Sequence, residues 1–254
     1  MSLFIYKIKF MYLFIDLGNT KTKWCLVSKE NLEKSGSIFN NELTNFSIIN
    51  EDIESVFISS VNSEDLEKKI FEKIKPLCKE IYFASVSKKL LATNYSSELG
   101  IDRWLGGLAV SKMTTNNAIL IDAGSAVTID FIRNDSPQPI FEGGLILPGL
   151  HLFNQSLVEQ SADISLKNKV MTTQINNTDM AIMHGFLMSV SGAIEKFLNF
   201  YQLDIENTDF FISGGDAELI FNSTHLGHKS NFKWVENIVI DGLKIYQQLT
   251  FSNE

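Results

Sequence analysis

The sequence predicts an α/β protein of two duplicated domains, each a mixed sheet with flanking helices, with a cleft between them. An apolar strand that ends in aspartate, followed by glycine and small polar residues, occurs twice in the 254 residues. Strand-like and helix-like segments also alternate along the chain, as mixed α/β layers require. A domain-sized repeat favours duplication over a solenoid. Three pairs in the repeated stretches share one spacing of 106 residues: Asp16 and Asp122, Gly18 and Gly124, and Thr22 and Thr128.

The first of these stretches is predicted to be a hairpin whose tip binds phosphate. Its apolar run ends on Asp16, and Gly18-Asn19 supplies residues that tolerate the positive φ of a tight turn. A second strand is expected over residues 21–27. Turn amides form an anion site and a carboxylate or its waters hold magnesium, so this tip suits a magnesium-bound polyphosphate. On this stretch alone, an ordinary hairpin with a polar tip is the alternative.

The rest of the first half is predicted to alternate between strands and helices. One helix begins at Ser63, which can cap it, and carries an apolar residue at every fourth position of one face. The polar stretch 85–99, which contains Tyr95, is expected to be irregular. The two domains are predicted to span residues 1–114 and 115–254. The predicted elements are strands over residues 34–39, 51–59 and 80–84 and helices over 63–74 and 102–113.

The second half is predicted to repeat this alternation and carries two glycine pairs. Gly143-Gly144 lies in a strand, where glycine marks a bulge or a close backbone approach. Gly214-Gly215 lies between a strand and a helix, where a helix N-terminus can meet a nucleotide. Residues 161–177 are expected to form a long loop. The predicted elements are strands over residues 118–122, 126–133, 140–147, 210–212 and 234–236 and helices over 150–160, 178–201, 216–221 and 238–249.

The helix over residues 178–201 has the strongest apolar stripe in the chain. Gly185, Ser189 and Ala193 form a second line of small residues, four apart, which lets another backbone come close. The partner is either another helix of the same chain or the same helix of a second copy in a dimer.

Charge and composition argue against several classes of partner. The net charge of −8 disfavours nucleic acid and an anionic membrane as the main partner. No apolar run reaches transmembrane length without a charge or a proline, and the run after Lys7 and Lys9 is shorter than a signal-peptide core. We therefore predict a soluble cytoplasmic protein. Residues 1–10 either extend the first strand or precede a start at Met11.

Cysteines and histidines show no metal-binding pattern. Cys25 and Cys78 are expected to be free thiols in a reducing cytosol, with a disulfide as the alternative. The four histidines lack ligand spacing: His151, His184, His225 and His228. The last two are expected to be solvated, and no histidine-based mechanism is predicted.

Six short motifs, in one order, resemble those of the type III pantothenate kinases. They are Asp16-Leu17-Gly18-Asn19-Thr20, Gly100-Ile101-Asp102-Arg103, Asp122-Ala123-Gly124-Ser125-Ala126, Gly143-Gly144 with Pro148-Gly149, Asn177-Thr178, and Gly214-Gly215-Asp216-Ala217. The resemblance runs from about Met11 to the end of the sequence. It departs at Ser125, where the family usually has threonine but a hydroxyl is kept, and in the first ten residues, which have no counterpart.

This resemblance implies duplicated actin-like ATPase (ribonuclease H-like) domains, as in acetate and sugar kinases and heat-shock chaperone ATPases. It implies ATP-dependent phosphorylation of the terminal hydroxyl of pantothenate. The product is 4′-phosphopantothenate, and the reaction is the first step toward coenzyme A. The resemblance also implies a homodimer, Mg²⁺ and a monovalent cation, K⁺ or NH₄⁺.

The resemblance places the acceptor chemistry around Asp102. Phosphoryl transfer needs positioning, charge neutralisation and a group that accepts the nucleophile's proton, which is the role implied for Asp102. Its alternative role is a helix N-cap. Arg103 is implied to hold substrate or phosphate, with a surface ion pair to Glu98 as the alternative. For Tyr95 the equal alternative to a substrate contact is packing within the loop, and for Thr178 it is a helix cap. The implied substrate-binding residues are Tyr95, Gly100, Ile101, Asp102, Arg103 and Thr178.

The resemblance assigns ATP to the two hairpins and to one glycine pair. Asp16 would hold Mg²⁺, largely through water, and Asp122 matches the monovalent-cation position. Gly214-Gly215 would lie under the adenosine, where side chains would obstruct it. Lys23 faces either the phosphates or solvent. The implied ATP-binding residues are Asp16, Leu17, Gly18, Asn19, Thr20, Lys21, Thr22, Lys23, Ser125, Gly214 and Gly215.

Two other hypotheses fit the same sequence. A different kinase of the superfamily, such as a small-sugar kinase, would use the same ATP residues with another acceptor. A pantothenate-kinase-like regulatory factor would bind without catalysis. The presence of Asp16, Asp102 and Asp122 together favours catalysis.

Overall fold

The computed structural model describes residues 11–28, 31–47, 53–160, 174–223 and 232–251. The expectations for residues 1–10, for most of the loop 161–177 and for His225 and His228 lie outside these ranges. The chain divides into two compact units. The first consists of Met1–Leu90, Glu98–Gly106 and Val239–Glu254, and the second of Leu91–Ser97 and Gly107–Ile238. No helix in the described ranges combines the length and the apolar content needed to span a bilayer.

A five-stranded mixed sheet forms the centre of the first unit. Its elements are β1 (Met11–Leu17), β2 (Lys21–Ser28), β3 (Asn31–Phe39), β4 (Ile53–Ser60), α1 (Glu64–Ile74) and β5 (Cys78–Phe83). The strand order is β3-β2-β1-β4-β5. Strands β1, β2 and β3 pair antiparallel, whereas β4 and β5 run parallel to β1. Helix α1 makes the crossover that parallel strands need.

Both faces of this first sheet are covered. Leu13, Ile15 and Leu17 of β1 project from one face, are fully buried and belong to a core that includes α1. On the other face Phe57 stacks on Phe14 and also contacts Phe251. Phe251 ends helix α6 (Ile238–Phe251), so the last described helix packs in the first unit.

The sheet of the second unit repeats the same topology with one strand added. Its strands are β6 (Ala92–Thr93), β7 (Asn117–Ala123), β8 (Ala126–Arg133), β9 (Ile140–Pro148), β10 (Thr208–Ser213) and β11 (Phe232–Trp234). The order is β11-β10-β7-β8-β9-β6. β7, β8 and β9 pair antiparallel, while β10 and β11 run parallel to β7. β7 to β11 therefore match β1 to β5 in order and direction, which confirms the predicted duplication.

The other helices are α2 (Ile101–Met113), α3 (Leu150–Gln160), α4 (Thr178–Phe200) and α5 (Ala217–Ser223). Helix α4 buries its predicted apolar stripe: Met183, Leu187 and Val190 pack in one core with the second sheet. Ser63 occupies the N-cap of α1, but its side chain makes no capping hydrogen bond, unlike the prediction.

The division into units differs from the predicted boundary at 114/115 in two places. Helix α6 belongs to the first unit, where Tyr246 packs edge-on against Trp104. The stretch expected to be irregular contains β6, which pairs with β9 in the second unit. Both differences depend on contacts between residues distant in sequence, which local patterns do not report.

Candidate active site

The first hairpin turn is wider than the tight turn predicted from Gly18-Asn19. Leu17 pairs with Thr22, so residues 18–21 form the loop. Within the described ranges, positive φ occurs at Gln202, Gly143 and Gly214, and not in this turn. The expectation of positive φ at Gly18-Asn19 is therefore wrong, because a loop of this width closes without a left-handed residue.

Two asparagine side chains hold the carbonyl oxygens of this turn. Asn40 Nδ2 donates to Gly18 O at 2.8 Å and to Asn19 O at 3.0 Å. Asn62 Nδ2 also donates to Gly18 O at 2.8 Å, and the N–H of Asn40 donates to Thr20 O at 3.0 Å. The C=O and N–H of a trans peptide unit point in opposite directions. The N–H groups of Asn19 and Thr20 therefore point away from the two asparagines.

Asp16 lies in a row of polar side chains across β2, β1 and β4. It pairs with Lys23 on β2 and with Ser59 on β4. Directly paired residues project from the same face of a sheet, so Lys23 lies on the face of Asp16. Ser59 is fully buried, and its hydroxyl has no hydrogen-bond partner among the described residues. Lys21, implied to contact ATP, holds its Nζ 4.5 Å from the centroid of the Phe39 ring.

The tips of the two hairpins are paired differently. Asp122 pairs with Thr128 in the second hairpin, whereas Asp16 pairs with Lys23 in the first. Lys23 is therefore the structural counterpart of Thr128. The pairing of Thr22 with Thr128, inferred from equal spacing, is wrong because the first turn contains one residue more.

Asp102 lies in the first turn of α2 and is not its N-cap. The N–H of Trp104 donates to Gly100 O at 3.1 Å, so Gly100 occupies the N-cap position. Asp102 Oδ1 accepts a hydrogen bond from the N–H of Arg103 at 2.7 Å. Burial raises the pKa of the Asp102 carboxyl, although this hydrogen bond and the charge of Arg103 oppose the rise. A carboxylate with a raised pKa is a stronger proton acceptor.

Gly100 leaves room for the Asp102 carboxylate. A Cβ at position 100 would lie 2.6 Å from Asp102 Oδ1 and 3.9 Å from Val61 Cγ1. Val61 follows β4, and its N–H donates to Leu17 O at 3.5 Å. Asp102 therefore lies at the same edge of the first sheet as the first hairpin turn.

Arg103 is buried, with 9% of its surface exposed. Arg103 therefore does not lie on the surface. A guanidinium next to a buried carboxylate, in a protected position, is well placed to hold an anionic or hydroxylated substrate.

Glycines bring separate segments together at the second hairpin. A Cβ at Gly214, whose φ is +98°, would lie 2.3 Å from Ala123 O. A Cβ at Gly149 would lie 2.7 Å from Ser125 O. The N–H of Gly149 donates to Ser125 O at 3.1 Å, and the N–H of Asp216 donates to Ala123 O at 3.0 Å. Backbone groups that only glycine admits therefore hold this turn.

The predicted residues of the second hairpin and of the glycine pair lie together. Asp122 is in register with Ser213, which immediately precedes Gly214. A Cβ at Gly215 would meet nothing within 4 Å, and Gly215 is exposed. The space above Gly215 is therefore open, as the implied adenosine position requires.

Tyr95 and Thr178 belong to the second unit. The Tyr95 ring packs edge-on against Phe141, and its Cδ2 would lie 3.8 Å from a Cβ at Gly143. Gly143 has φ +136° and lies at a register shift between β8 and β9, so of the two predicted alternatives, a bulge or a close backbone approach, the structure shows the bulge. Asn177 caps α4 through a 2.9 Å hydrogen bond from the N–H of Met180. Thr178 is therefore not the cap, and it is exposed.

Comparison with known proteins identifies the family. The type III pantothenate kinase model matches residues 12–199. The chain belongs to the type III pantothenate kinase family. The type III pantothenate kinase of Marinobacter nauticus is 30% identical over 243 residues, covering 92% of this chain and 97% of the relative. That of Methylobacillus flagellatus is 28% identical over 244 residues, covering 90% and 94%.

Solved structures confirm the predicted actin-like ATPase and sugar kinase fold. A conserved putative Baf family transcriptional activator from Campylobacter jejuni aligns with a TM-score of 0.60 at 21% identity, covering 95% of this chain and 100% of that one. A putative N-acetylmannosamine kinase from Listeria monocytogenes gives 0.54 at 10% identity, covering 94% and 99%. The archaeal actin homologue Ta0583 gives 0.50 at 11% identity, covering 94% and 100%. At these identities the likeness concerns the fold alone.

Three polar residues near the first hairpin of this family member were missed by the sequence analysis. Asn40 follows β3, Ser59 lies near the end of β4, and Asn62 follows β4. β3 and β4 both run in the direction of β1, so their carboxyl ends share one edge of the sheet. Polar residues directly after such strands are the signal that could have found them.

Proposed function

We propose that this chain transfers the γ-phosphoryl group of ATP to the terminal hydroxyl of pantothenate, the first step of coenzyme A biosynthesis. The product is 4′-phosphopantothenate. The match of the type III pantothenate kinase model to residues 12–199 carries this proposal. The raised pKa of the buried Asp102, beside the first hairpin, supports it.

In this proposal the first hairpin binds the phosphates of ATP. The N–H groups of Asn19 and Thr20, directed away from the asparagines, form the anion site, and Lys23 adds positive charge on the face of Asp16. The single carboxylate of Asp16 is consistent with a Mg²⁺ site, because proteins commonly hold Mg²⁺ through one or two carboxylates plus substrate phosphates. Asp16 would hold the ion largely through water. Bound Mg²⁺ neutralises charge that develops on the phosphates.

The second hairpin and the glycine pair would complete the nucleotide contacts. Asp122 would hold K⁺ or NH₄⁺, and the Ser125 hydroxyl would bond a phosphate oxygen. Gly214-Gly215 would lie under the adenosine. The open space at Gly215 supports this role, since a flat ring needs a surface without side chains.

Asp102 would accept the hydroxyl proton of pantothenate as its oxygen attacks the γ-phosphorus. The new bond joins that oxygen to phosphorus, the bond to ADP breaks, and the proton rests on the Asp102 carboxyl. Arg103, Tyr95 and Thr178 would hold the acceptor in line, since positioning supplies much of the rate in phosphoryl transfer.

We further propose a cytoplasmic homodimer that uses α4. At Gly185, a Cβ would lie 4.0 Å from Cζ of the Phe153 ring, which belongs to α3 of the same chain. Further along α4, Met188 is 62% exposed, and Gly192 has open space beside it. The same chain therefore covers one end of the small-residue line, and the exposed part would pack against the same helix of a second copy. Light scattering on the purified protein measures its molar mass in solution, which distinguishes a dimer from a single chain.

The function is tested by ATP-dependent phosphate transfer to pantothenate, with and without K⁺ or NH₄⁺, beside a panel of small sugars. The expected result is cation-stimulated formation of 4′-phosphopantothenate and no sugar phosphate. Sugar phosphorylation without pantothenate turnover would instead identify another kinase with the same ATP residues. Nucleotide binding without turnover of any acceptor would support a regulatory factor.

A further inference from the structure

The first hairpin turn has its carbonyl groups fixed by side chains distant in sequence. We infer that Asn40 and Asn62 are positioning residues that keep the N–H groups of this turn directed at the phosphates of ATP. This inference rests on the phosphate-binding role proposed for the turn. The carbonyl oxygens of Gly18 and Asn19 accept hydrogen bonds from the side-chain amides of these two asparagines, and that of Thr20 accepts one from the backbone N–H of Asn40.

The direction of these carbonyl groups decides whether the turn attracts or repels an anion. A peptide unit that rotated would turn its carbonyl oxygen toward the phosphates and its N–H away from them. A carbonyl oxygen repels phosphate, whereas a converging set of N–H groups attracts it. Donors fixed before the ligand arrives need no reorganisation when it binds. The hydrogen bonds of the two asparagines hold the carbonyl groups in this direction, from the side of the turn opposite its N–H groups.

The amide groups of both asparagines are themselves oriented. Asn40 Oδ1 accepts from Thr22 Oγ1 at 2.9 Å, and Asn62 Oδ1 accepts from the N–H of Ser63 at 2.9 Å. Because carbonyl oxygens only accept hydrogen bonds, Nδ2 of each amide must face the turn. An aspartate at either position would set a carboxylate oxygen against Gly18 O and would break the arrangement.

The test replaces each asparagine with aspartate in the full-length chain. Asn41→Asp is the matched control, because Asn41 is exposed and adjacent to Asn40 and receives the same charge change. Binding of a non-hydrolysable ATP analogue with Mg²⁺, and of adenosine, is measured by calorimetry. We expect Asn40→Asp and Asn62→Asp to weaken the ATP analogue about 10-fold or more relative to Asn41→Asp. Adenosine affinity should stay within about twofold, since adenosine lacks phosphates.

Uncharged variants separate this role from simple charge repulsion and from misfolding. Asn62→Leu removes the donor without adding charge and should also weaken the ATP analogue more than adenosine. Where pantothenate turnover is present, the KM for ATP should rise while the KM for pantothenate stays unchanged. Equal losses for ATP analogue and adenosine, or analogue affinities equal to that of Asn41→Asp, would overturn the inference.

The outcome for the inference is distinct from that for the proposed function. A wild-type protein that binds the ATP analogue but does not phosphorylate pantothenate would reject the proposed acceptor. The analogue affinities of the asparagine variants would then still decide the inference. A wild-type protein that binds no ATP analogue would reject both.

Discussion

The two hairpins have the same topology but are held by different chemistry. In the first, the side-chain amides of Asn40 and Asn62 hold the turn carbonyls. In the second, backbone N–H groups of Gly149 and Asp216 hold them, since glycine lets the segments approach closely. Replacing a supporting asparagine removes hydrogen bonds without causing a backbone clash. Replacing a supporting glycine places a side chain where it overlaps the neighbouring backbone. We therefore expect substitution of the supporting asparagines to act mainly on ligand binding at the first hairpin, and substitution of the supporting glycines to act mainly on stability at the second.

The helices that follow the two sheets also differ, in the residue at their second position. α2 follows the first sheet and carries Asp102 as its second residue. α6 follows the second sheet and has Val239 there, with Asp241 two residues later. The buried carboxylate of Asp102, whose pKa is raised, thus has Val239 as its counterpart after the second sheet, and proton transfer should depend on one half of the chain.

The largest expected effect is that of Asp102→Asn. Removing the proton acceptor should lower kcat by about 10²- to 10⁴-fold, while affinity for an ATP analogue changes little. Asp241→Asn is the control, because Asp241 also lies in the first turn of a helix, where it pairs with Lys244 at 3.1 Å. Steady-state kinetics and calorimetry check both variants. Near-full activity in Asp102→Asn would show that Asp102 is not the base.

The pH profile tests the same group independently. Burial raises the pKa of Asp102, so the carboxyl becomes protonated at a higher pH than an ordinary aspartic acid does. A protonated carboxyl cannot accept the hydroxyl proton, so kcat should fall as the pH drops through this raised pKa. This fall in kcat at acidic pH should be absent from the residual activity of Asp102→Asn. If the same fall persists in that variant, a group other than Asp102 causes it.

The next effect concerns the stability of the second hairpin. Gly214→Ala should lower the free energy of unfolding by about 3 kcal/mol, since φ is +98° and Cβ would overlap Ala123 O. Gly215→Ala, where Cβ meets nothing within 4 Å, should leave stability nearly unchanged and weaken adenosine binding. Urea unfolding and calorimetry measure the two quantities. Equal stabilities of the two variants would contradict the steric account.

The paired aspartates distinguish the ions of the two hairpins. Asp16→Asn should raise the Mg²⁺ concentration needed for half-maximal activity about 10- to 100-fold and leave the K⁺ requirement unchanged. Asp122→Asn should shift the K⁺ or NH₄⁺ requirement instead. Titrations of activity against each cation check this. If each variant shifted both requirements equally, the separate assignments would be wrong.

The smallest expected effect is that of Thr22→Val. Thr22 is fully buried and donates to Asn40, so its loss should cost about 1 kcal/mol of stability and loosen one support of the first turn. Thr44→Val, at an exposed position, is the control. Thermal unfolding compares them, and a stability loss as large in the control would argue against the Thr22 bond.

The sequence predicted the features that depend on local pattern. The strand before Asp16, the duplication and the apolar stripe of α4 are confirmed because alternation, spacing and helical periodicity report them directly. The width of the first turn was missed, and with it the true counterpart of Thr128. Spacing along the chain does not report strand register.

The contacts that complete the site were beyond sequence patterns for a physical reason. Asn40 and Asn62 reach Gly18 across 22 and 44 residues. A short polar residue after a strand is compatible with many loops, and only the folded sheet brings these amides to one carbonyl. The placement of α6 in the first unit depends in the same way on contacts such as that of Phe251 with Phe57.

The position of α6 has a consequence for how the molecule is made. The ribosome synthesises residues 11–106 long before residues 239–251, yet Phe251 and Tyr246 complete the packing around Phe57 and Trp104. During translation the contacts of Phe57 and Trp104 with α6 can therefore form only after α6 has been synthesised and has emerged. Chaperone capture of nascent chains stalled before residue 239, compared with the released full-length chain, would show whether α6 closes the face of the first sheet that carries Phe57.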